Sequence, residues 1–136
     1  MKGNLLIVGG SGFIGRNLSI KSSNLGYSTT VISLTKIDFD KRISGINYIQ
    51  VDITNINQLR KKLSNKLFHY VINLSGYVNH SSFLNGGISV INTHFGGVQN
   101  LLEVLEWSHL KRFVQIGSSD EYGGVPAPQN EDMRES

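Results

Sequence analysis

A glycine-rich turn near the start of the chain constrains the fold more than any other feature. Residues 5–8 form the apolar run Leu-Leu-Ile-Val, and glycines follow at positions 9, 12 and 15 with the spacing G-x-x-G-x-x-G. An amphipathic segment follows at once. This is how a strand passes through a tight turn into a helix whose N-terminus holds a diphosphate. The turn therefore predicts that the chain binds a dinucleotide.

The three glycines of the turn have separate expected roles. Gly9 allows the tight turn, Gly12 lets the diphosphate approach the backbone, and Gly15 lets the helix pack close to the sheet. Bare amide groups and the helix dipole then favour the negative charge of the diphosphate. A structural turn that binds nothing is the alternative, and the strand before it and the helix after it favour binding.

Apolar runs alternate with longer amphipathic segments along the whole chain. The runs that indicate strands are residues 4–8, 29–34, 47–51, 69–74 and 113–116. Strands that alternate with helices form right-handed βαβ units, and near-continuous apolar strands are typical of a parallel sheet covered on both faces. We therefore expect an α/β fold, a doubly wound, Rossmann-like parallel sheet with strand order 3-2-1-4-5. Its ligand would lie at the carboxyl ends of the strands, where the order reverses.

Helices are expected in three of the segments between these strands. The first covers residues 13–25 and ends at the C-capping Gly26. Its apolar side is expected to comprise Phe13, Ile14, Leu18 and Leu25. A second helix, capped by Thr54, covers about residues 55–65, and a third covers about residues 87–107.

Length and composition suit one globular domain. The chain has 136 residues, of which 39% are hydrophobic and 17% charged, unlike a disordered segment. We expect residues 1–122 to form a dinucleotide-binding domain. Residues 123–136 have neither strand nor helix periodicity and are expected to form a loop.

Charge and residue types argue against several classes of function. The net charge of +3 is mild and no basic stripe interleaves with aromatic residues, so nucleic acid is not an expected partner. No stretch approaches the roughly 18–20 apolar residues of a transmembrane helix, so no membrane association is expected. The chain has no cysteine, which fits a reducing compartment, and the cytoplasm is the expected location. The four histidines lack metal-ligand spacing, so no metal site is expected.

The glycine turn resembles the cofactor motif of the extended short-chain dehydrogenase/reductases and, more narrowly, of the sugar-nucleotide epimerase/dehydratase family. Further segments are similar to other motifs of that family, in the same order: Asp52-Ile53-Thr54, Asn73-Leu74-Ser75-Gly76, Asn92 with Gly96–Glu103, and Phe113–Gly123. The resemblance spans the whole chain. It implies an NAD(P) cofactor that is contacted by Gly9, Ser11, Gly12, Phe13, Ile14, Gly15, Asp52, Ile53, Leu74, Ser75, Gly76 and Asn92.

Each of the later motifs also has a purely structural interpretation. The resemblance implies that Asp52 lies beside the adenine ring, and the alternative is a carboxylate that caps the following turn. The segment after the fourth strand resembles a small-residue turn against the cofactor, but Asn73 and Ser75 could serve only local backbone groups. Asn92 could likewise bridge buried backbone within its helix.

The end of the second strand carries the residues that discriminate NAD from NADP. An NAD site has a carboxylate there for the ribose 2′-hydroxyl, and the corresponding residue is Ser33. The next carboxylate is Asp38, while Thr35 and Lys36 offer a hydroxyl and a cation, and Arg16 could add a second cation. We therefore expect NADP to be slightly favoured over NAD, with Ser33 and Lys36 at the site. A site that accepts either dinucleotide, with Lys36 solvated, is the alternative.

The segment after the fifth strand resembles the Ser/Thr catalytic turn of the family. Counting back from Tyr122 selects Ser118 as the hydroxyl that binds the reacting sugar group, whereas counting from the Ser-Ser pair selects Ser119. The resemblance implies a catalytic Tyr-x-x-x-Lys beyond this loop, and no tyrosine of the chain is followed four residues later by lysine. We therefore expect the cofactor half of an enzyme, truncated before the later strands and the substrate domain, that binds dinucleotide but catalyses little alone.

The resemblance also implies partners and a reaction. The substrate would be a nucleotide sugar, modified by transient hydride transfer in an epimerase or a dehydratase, and the full-length protein would be a homodimer. Two alternatives use the same fold: a reductase of a nucleotide-linked keto sugar, and a non-catalytic NAD(P)-sensing module.

Overall fold

The computed structural model describes residues 2–76, 83–118 and 122–133, and a five-stranded parallel sheet forms its centre. The strands are β1 (Asn4–Val8), β2 (Ser28–Ser33), β3 (Asn47–Gln50), β4 (Tyr70–Asn73) and β5 (Arg112–Gln115). Their order in the sheet is β3-β2-β1-β4-β5, and every pairing is parallel. The expected α/β fold and strand order are therefore confirmed, and each strand bound lies within one residue of its prediction.

Helices occupy the crossovers from β1 to β2, from β3 to β4 and from β4 to β5. The α-helices are α1 (Phe13–Asn24), α2 (Ile56–Leu63), α3 (Gly87–Ile91) and α4 (Gly97–Val104). Short 3-10 turns lie at Phe39–Lys41 and Phe83–Asn85. A π-helical turn at Asn92–Gly96 joins α3 to α4. The single helix predicted over residues 87–107 is therefore wrong in extent, because it is divided by the π turn and ends at Val104.

The sheet divides the core into two layers, because successive residues of a strand point to opposite faces. Along β1, Leu6 and Val8 face α2 and α4, whereas Leu5 and Ile7 face the layer beside α1. The larger layer consists of Leu6, Val8, Ile32, Val51, Ile53, Leu59, Leu63, Phe68, Val71, Leu101 and Leu105. Burial of each such side chain contributes roughly 1.5–3 kcal/mol to stability before the cost of ordering it.

Helix α1 packs on the sheet through small side chains. Its buried residues are Gly15, Ser19 and Ser22, and Ser22 Oγ lies 2.9 Å from Thr29 Oγ1 on β2. The exposed side chains of this region include the large apolar ones, Phe13, Ile14 and Leu25. Of the apolar side predicted for this helix, Leu18 packs against the core layer beside α1, and the prediction is wrong for the other three residues. A helix whose fully buried residues are glycine and serine can lie close to the strands.

The helix ends follow from local side-chain chemistry. Gly26 follows α1 with a φ of +85°, the left-handed conformation that favours glycine. At α2, Asn55 Oδ1 accepts a hydrogen bond from Gln58 N at 3.1 Å, so Asn55 is the cap rather than the predicted Thr54. Thr54 N and Oγ1 instead donate to Asp52 Oδ1, at 2.9 and 2.8 Å.

Helix α4 approaches the loop after β3 closely. A Cβ added at Gly97 would lie 2.6 Å from Ile53 Cδ1 and 2.8 Å from Ile53 Cγ1. Asn100 Nδ2 donates to the carbonyl oxygens of Ile53, at 2.9 Å, and Thr54, at 3.1 Å. A Cβ added at Gly96 meets nothing within 4 Å. Gly97 therefore permits the helix to hold this loop in place.

We expect Gly97→Ala to lower the free energy of unfolding by about 1–3 kcal/mol, because buried Ile53 would have to move to admit the methyl group. Gly96→Ala is the matched control, since it adds the same methyl group one residue earlier in open space. It should leave the stability unchanged or slightly higher, because alanine is the better helix former. Urea unfolding of both variants measures the difference, and equal losses would contradict the packing argument.

Candidate functional site

A cavity of about 610 Å³ opens at the carboxyl ends of β1, β2, β3 and β4. The sequence-predicted cofactor residues that line it are Gly9, Ser11, Gly12, Ser33, Asp52, Ile53, Leu74, Ser75, Gly76 and Asn92. The structure thus brings together residues from five separate segments of the chain. The remaining predicted cofactor residues lie outside this lining: Phe13, Ile14, Gly15 and Lys36.

The glycine turn is held by its own backbone. Gly9 has a φ of +77°, and the amides of Gly9 and Gly10 both donate to Ile32 O on β2, at 2.9 and 3.3 Å. A Cβ added at Gly15 would lie 2.4 Å from Gly10 Cα, so α1 is packed directly against the turn. At Gly12 the nearest atom to an added Cβ is Gly9 O, at 3.6 Å. Gly12 therefore presents bare backbone to the cavity without being required by the packing.

The N-terminus of α1 adjoins the cavity. Gly12 is the N-cap, it makes no side-chain capping hydrogen bond, and the first turn of the helix contains no acidic residue. The side chains of Phe13 and Ile14 are exposed and do not line the cavity. An uncapped helix N-terminus beside bare glycine backbone is an arrangement that attracts an anion.

A second pocket, of about 490 Å³, lies beside the main cavity and shares Ser11 with it. Its charged lining consists of Arg16, Lys36, Asp38, Asp40 and Lys41. Arg16 Nη1 donates to Lys41 O at 2.9 Å, and Lys41 Nζ pairs with Asp38 Oδ2 at 3.1 Å. Three cations against two carboxylates leave this pocket positive.

Ser33 is the last residue of β2 and lines the main cavity, two residues before Thr35, which lines the second pocket. Its side chain is buried, and Ser33 Oγ donates to Thr35 O at 2.7 Å. The hydroxyl oxygen keeps lone pairs that can accept a hydrogen bond, but its proton is directed to the backbone.

Sequence reasoning missed Lys41, because the turn that brings it beside Arg16 is not encoded by a periodic pattern.

The loop after β3 supplies another wall of the cavity. Asp52 Oδ1 accepts from Thr54 N and Oγ1, so the local turn that the sequence left open as an alternative is present. Asp52 and Thr54 nevertheless both line the cavity. Ile53, which is buried against α4, fixes the depth of this wall.

The turn after β4 forms the opposite wall. Asn73 is fully buried, and Asn73 Oδ1 accepts from Ser75 N at 3.1 Å and from Ser75 Oγ at 2.6 Å. Gly76 faces the ring of His94, since an added Cβ there would lie 3.1 Å from His94 Cε1. Asn92 reaches the same cavity from the π turn. These contacts order the turn beside the opening of the cavity.

Two residues of the helical segment, Ser89 and Thr93, also line the cavity and were missed by sequence reasoning. Ser89 lies three residues before Asn92, on the same side of a helix, so helical spacing from Asn92 could have found it. Thr93 is brought there by the π turn, for which the sequence offers no signal.

The predicted catalytic serines follow β5. Ser118 is exposed and is not part of the lining of the main cavity. Ser119 lies outside the described residues, so the choice between the two serines stays open. Ile116, which lies two residues before Ser118, donates its backbone N–H to Asn73 O at 3.0 Å. This hydrogen bond connects the segment that precedes Ser118 to the end of β4.

Within residues 2–76, 83–118 and 122–133, no three side chains of the metal-ligating types come together as a possible metal site. In the same part of the chain, no helix has the length and hydropathy to cross a membrane.

We expect Gly12→Ala to weaken dinucleotide binding about tenfold or more while leaving the fold intact, because its methyl group enters the cavity and meets no protein atom closer than 3.6 Å. Gly15→Ala is the comparison variant, since its methyl group would strike backbone and should cost about 3 kcal/mol of stability. Calorimetric titration and urea unfolding measure the two properties. Loss of stability in Gly12→Ala, with unchanged binding, would refute this division of roles.

Comparisons with known proteins show similarity over almost the whole chain, including the residues that line the cavity. The sequence model of the NAD dependent epimerase/dehydratase family matches residues 5–136. The dTDP-D-glucose 4,6-dehydratase of Dictyostelium discoideum is 26% identical over 141 residues, which cover 97% of this chain and 32% of that protein. The UDP-glucuronate 4-epimerase of Thermodesulfobacterium geofontis is 24% identical over 144 residues, which cover 97% of this chain and 44% of that protein.

Solved structures share the fold. The UDP-glucose 4-epimerase of Brucella ovis, in complex with NAD, superposes with a TM-score of 0.80 and 21% identity, over 98% of this chain and 41% of that one. The Bordetella bronchiseptica enzyme WbmG, in complex with NAD, superposes with a TM-score of 0.80 and 18% identity, over 100% of this chain and 44% of that one. The chain thus spans less than half the length of each of these relatives.

Proposed function

Because the chain belongs to the NAD dependent epimerase/dehydratase family, we propose that it is the NAD(P)-binding part of a sugar-nucleotide epimerase or dehydratase. Three of the relatives named above are a dTDP-D-glucose dehydratase, a UDP-glucuronate epimerase and a UDP-glucose epimerase, and the two solved structures hold NAD. The substrate class that follows is a nucleotide sugar. The chemistry that a bound nicotinamide supplies is transient, reversible hydride transfer.

The observation that carries this proposal is the cavity at the carboxyl ends of the strands, bordered by the uncapped N-terminus of α1. The donor set fits a dinucleotide. We assign the diphosphate to the turn Gly9–Gly12, because the free backbone amides at the N-terminus of α1 lie beside glycines that have no side chain to block the approach. The adenine ring is assigned to Asp52 and Ile53, and the nicotinamide end to the turn Ser75–Gly76 and Asn92.

The catalytic contribution of this chain is assigned to Ser118, with Ser119 as the alternative. A hydroxyl after β5 can hydrogen-bond the reacting hydroxyl or carbonyl group of the sugar and hold it for proton transfer. The general acid/base would be a tyrosine assisted by lysine, and no tyrosine in these 136 residues has a lysine four residues later. We therefore propose that these residues bind cofactor and orient substrate but turn over little substrate by themselves.

We propose a slight preference for NADP over NAD. The end of β2 carries Ser33 instead of a carboxylate, and the pocket beside it has a positive lining that includes Arg16 and Lys36. A 2′-phosphate on the adenosine ribose would be attracted to these cations. The preference is modest because Asp38 and Asp40 line the same pocket.

Titration of the chain with NADP and with NAD tests both the binding function and the preference. We expect saturable binding of both, with NADP tighter, and we expect Lys36→Met to weaken NADP binding about tenfold while changing NAD binding little, because only NADP carries the 2′-phosphate. Lys66→Met, an exposed lysine after α2, is the matched control. NAD binding at least tenfold tighter than NADP binding would refute the preference, and binding of neither would refute the function.

We also propose that the full-length protein is a homodimer that uses residues 84–95, which comprise α3 and the turns on either side of it. Exposed apolar residues recur there at intervals of four, three and four residues: Leu84, Ile88, Ile91 and Phe95. Ile88 and Ile91 lie on α3, and Leu84 and Phe95 lie on the 3-10 and π turns that flank it. We assign the four to one exposed apolar stripe, which is suited to packing against the same stripe of a second copy. The stripe faces away from the core layer formed by α2 and α4.

We expect Phe95→Glu to shift the chain towards the monomer at a given concentration, because a carboxylate in an apolar interface is poorly solvated. Phe39→Glu is the matched control, since Phe39 is a phenylalanine of similar exposure on the 3-10 turn away from the stripe. Sedimentation equilibrium measures the association. A wild-type chain that is monomeric at high concentration, or an equal effect of both variants, would contradict this interface.

A further inference from the structure

Asn73, the last residue of β4, is a polar side chain with no exposed surface. An amide in such a place must satisfy a donor and an acceptor at once, since an unpaired buried polar group costs about 1–3 kcal/mol. Asn73 does so with two partners on different elements. Its oxygen accepts from Ser75 N and Oγ, at 3.1 and 2.6 Å, and its Nδ2 donates to Gln115 Oε1 at 2.8 Å.

Gln115 continues the network into the end of β5. Gln115 Nε2 donates to Ile116 O at 2.9 Å, and Ile116 N donates to the main-chain oxygen of Asn73 at 3.0 Å. Ile116 lies two residues before Ser118. Asn73 is therefore bonded to the cofactor-facing turn through one end of its amide, and to the approach to the serine turn through the other.

The position of Asn73 in the sheet explains why one residue can serve both turns. In the parallel register, Asn73 is paired with Val8 on β1 and with Gln115 on β5. The glycine turn leaves the sheet one residue after Val8, and Ser75 lies two residues after Asn73. The glycine turn, the turn after β4 and the serine turn thus follow a single row of the sheet, Val8, Asn73 and Gln115, and Asn73 occupies the middle of that row.

We propose that Asn73 is a positioning residue and that Gln115 is its partner. Together they set the position of Ser75 relative to the serine turn after β5, and so the distance between the bound dinucleotide and the hydroxyl that meets the substrate. This role rests on the proposed function. Packing alone does not require an amide, because an apolar side chain of the same size would fill the same space without linking the two turns.

Gln115→Met tests the link from the β5 side. The variant keeps the length of the side chain but removes the acceptor of Asn73 Nδ2, which frees the amide to rotate away from Ser75. We expect the dissociation constant of NADP to rise about threefold to tenfold and hydrogen exchange at Ser75 N to accelerate. Gln58→Met, on the exposed side of α2, is the matched control and should change neither quantity.

The double variant Asn73→Leu/Gln115→Met separates positioning from stability. Replacing both partners by apolar groups removes the unpaired buried amide, so the melting temperature should recover most of what Gln115→Met lost. Ser75 has then lost its acceptor and, because it lines the cavity, water can take over that hydrogen bond. Cofactor affinity should therefore stay at least about tenfold below that of the wild type.

The outcomes distinguish this inference from the proposed function. If affinity recovers together with stability in the double variant, the pair is merely structural and the inference is wrong. Unchanged exchange at Ser75 N in Gln115→Met would also overturn it. If the wild-type chain binds no dinucleotide, the proposed function fails, and the exchange measurement still decides whether Gln115 controls the turn.

Discussion

The close approach of α1 to the turn after β1 is the constraint on which the rest of the site depends. A single methyl group at Gly15 would lie 2.4 Å from Gly10 Cα, so the helix can begin where it does only because that position has no side chain. Ser19 and Ser22 continue the same small inner face along the helix. Because α1 lies this near the sheet, its N-terminus adjoins the cavity. The other residues that line the cavity come from the ends of β2, β3 and β4 and from the helical segment around Asn92.

Those segments converge because parallel strands end on the same side of a sheet. The site is therefore built from the first residues after each strand, and its precision depends on what holds those residues to the strands. Two kinds of device do this. Backbone carbonyls such as Ile32 O hold the glycine turn, and buried side chains such as Asn73 and Ile53 hold the turns after β4 and β3.

The sequence was a good guide where the signal is local and periodic. β1 was predicted to the residue, and the strand order follows from the alternation of strands and helices together with right-handed crossovers. Phe13, Ile14 and Leu25 were wrongly assigned to the inner face of α1 because hydrophobic periodicity marks large residues, whereas the residues that this helix buries fully are serine and glycine. The division of the third helix was missed because a π turn has no residue pattern of its own. Gln115 was missed because its partner Asn73 lies 42 residues earlier in the chain.

The charge around the second pocket limits how strongly the chain can select its cofactor. One guanidinium nitrogen of Arg16 donates a hydrogen bond to Lys41 O, and the side chain of Lys41 forms an ion pair with Asp38. Both interactions order the 3-10 turn that forms the outer wall, so they shape the pocket, but they also reduce the positive charge offered to a ligand. Lys36, which also lines the pocket, has no part in either interaction. A pocket built in this way can admit a 2′-phosphate while still accepting a ribose that lacks one.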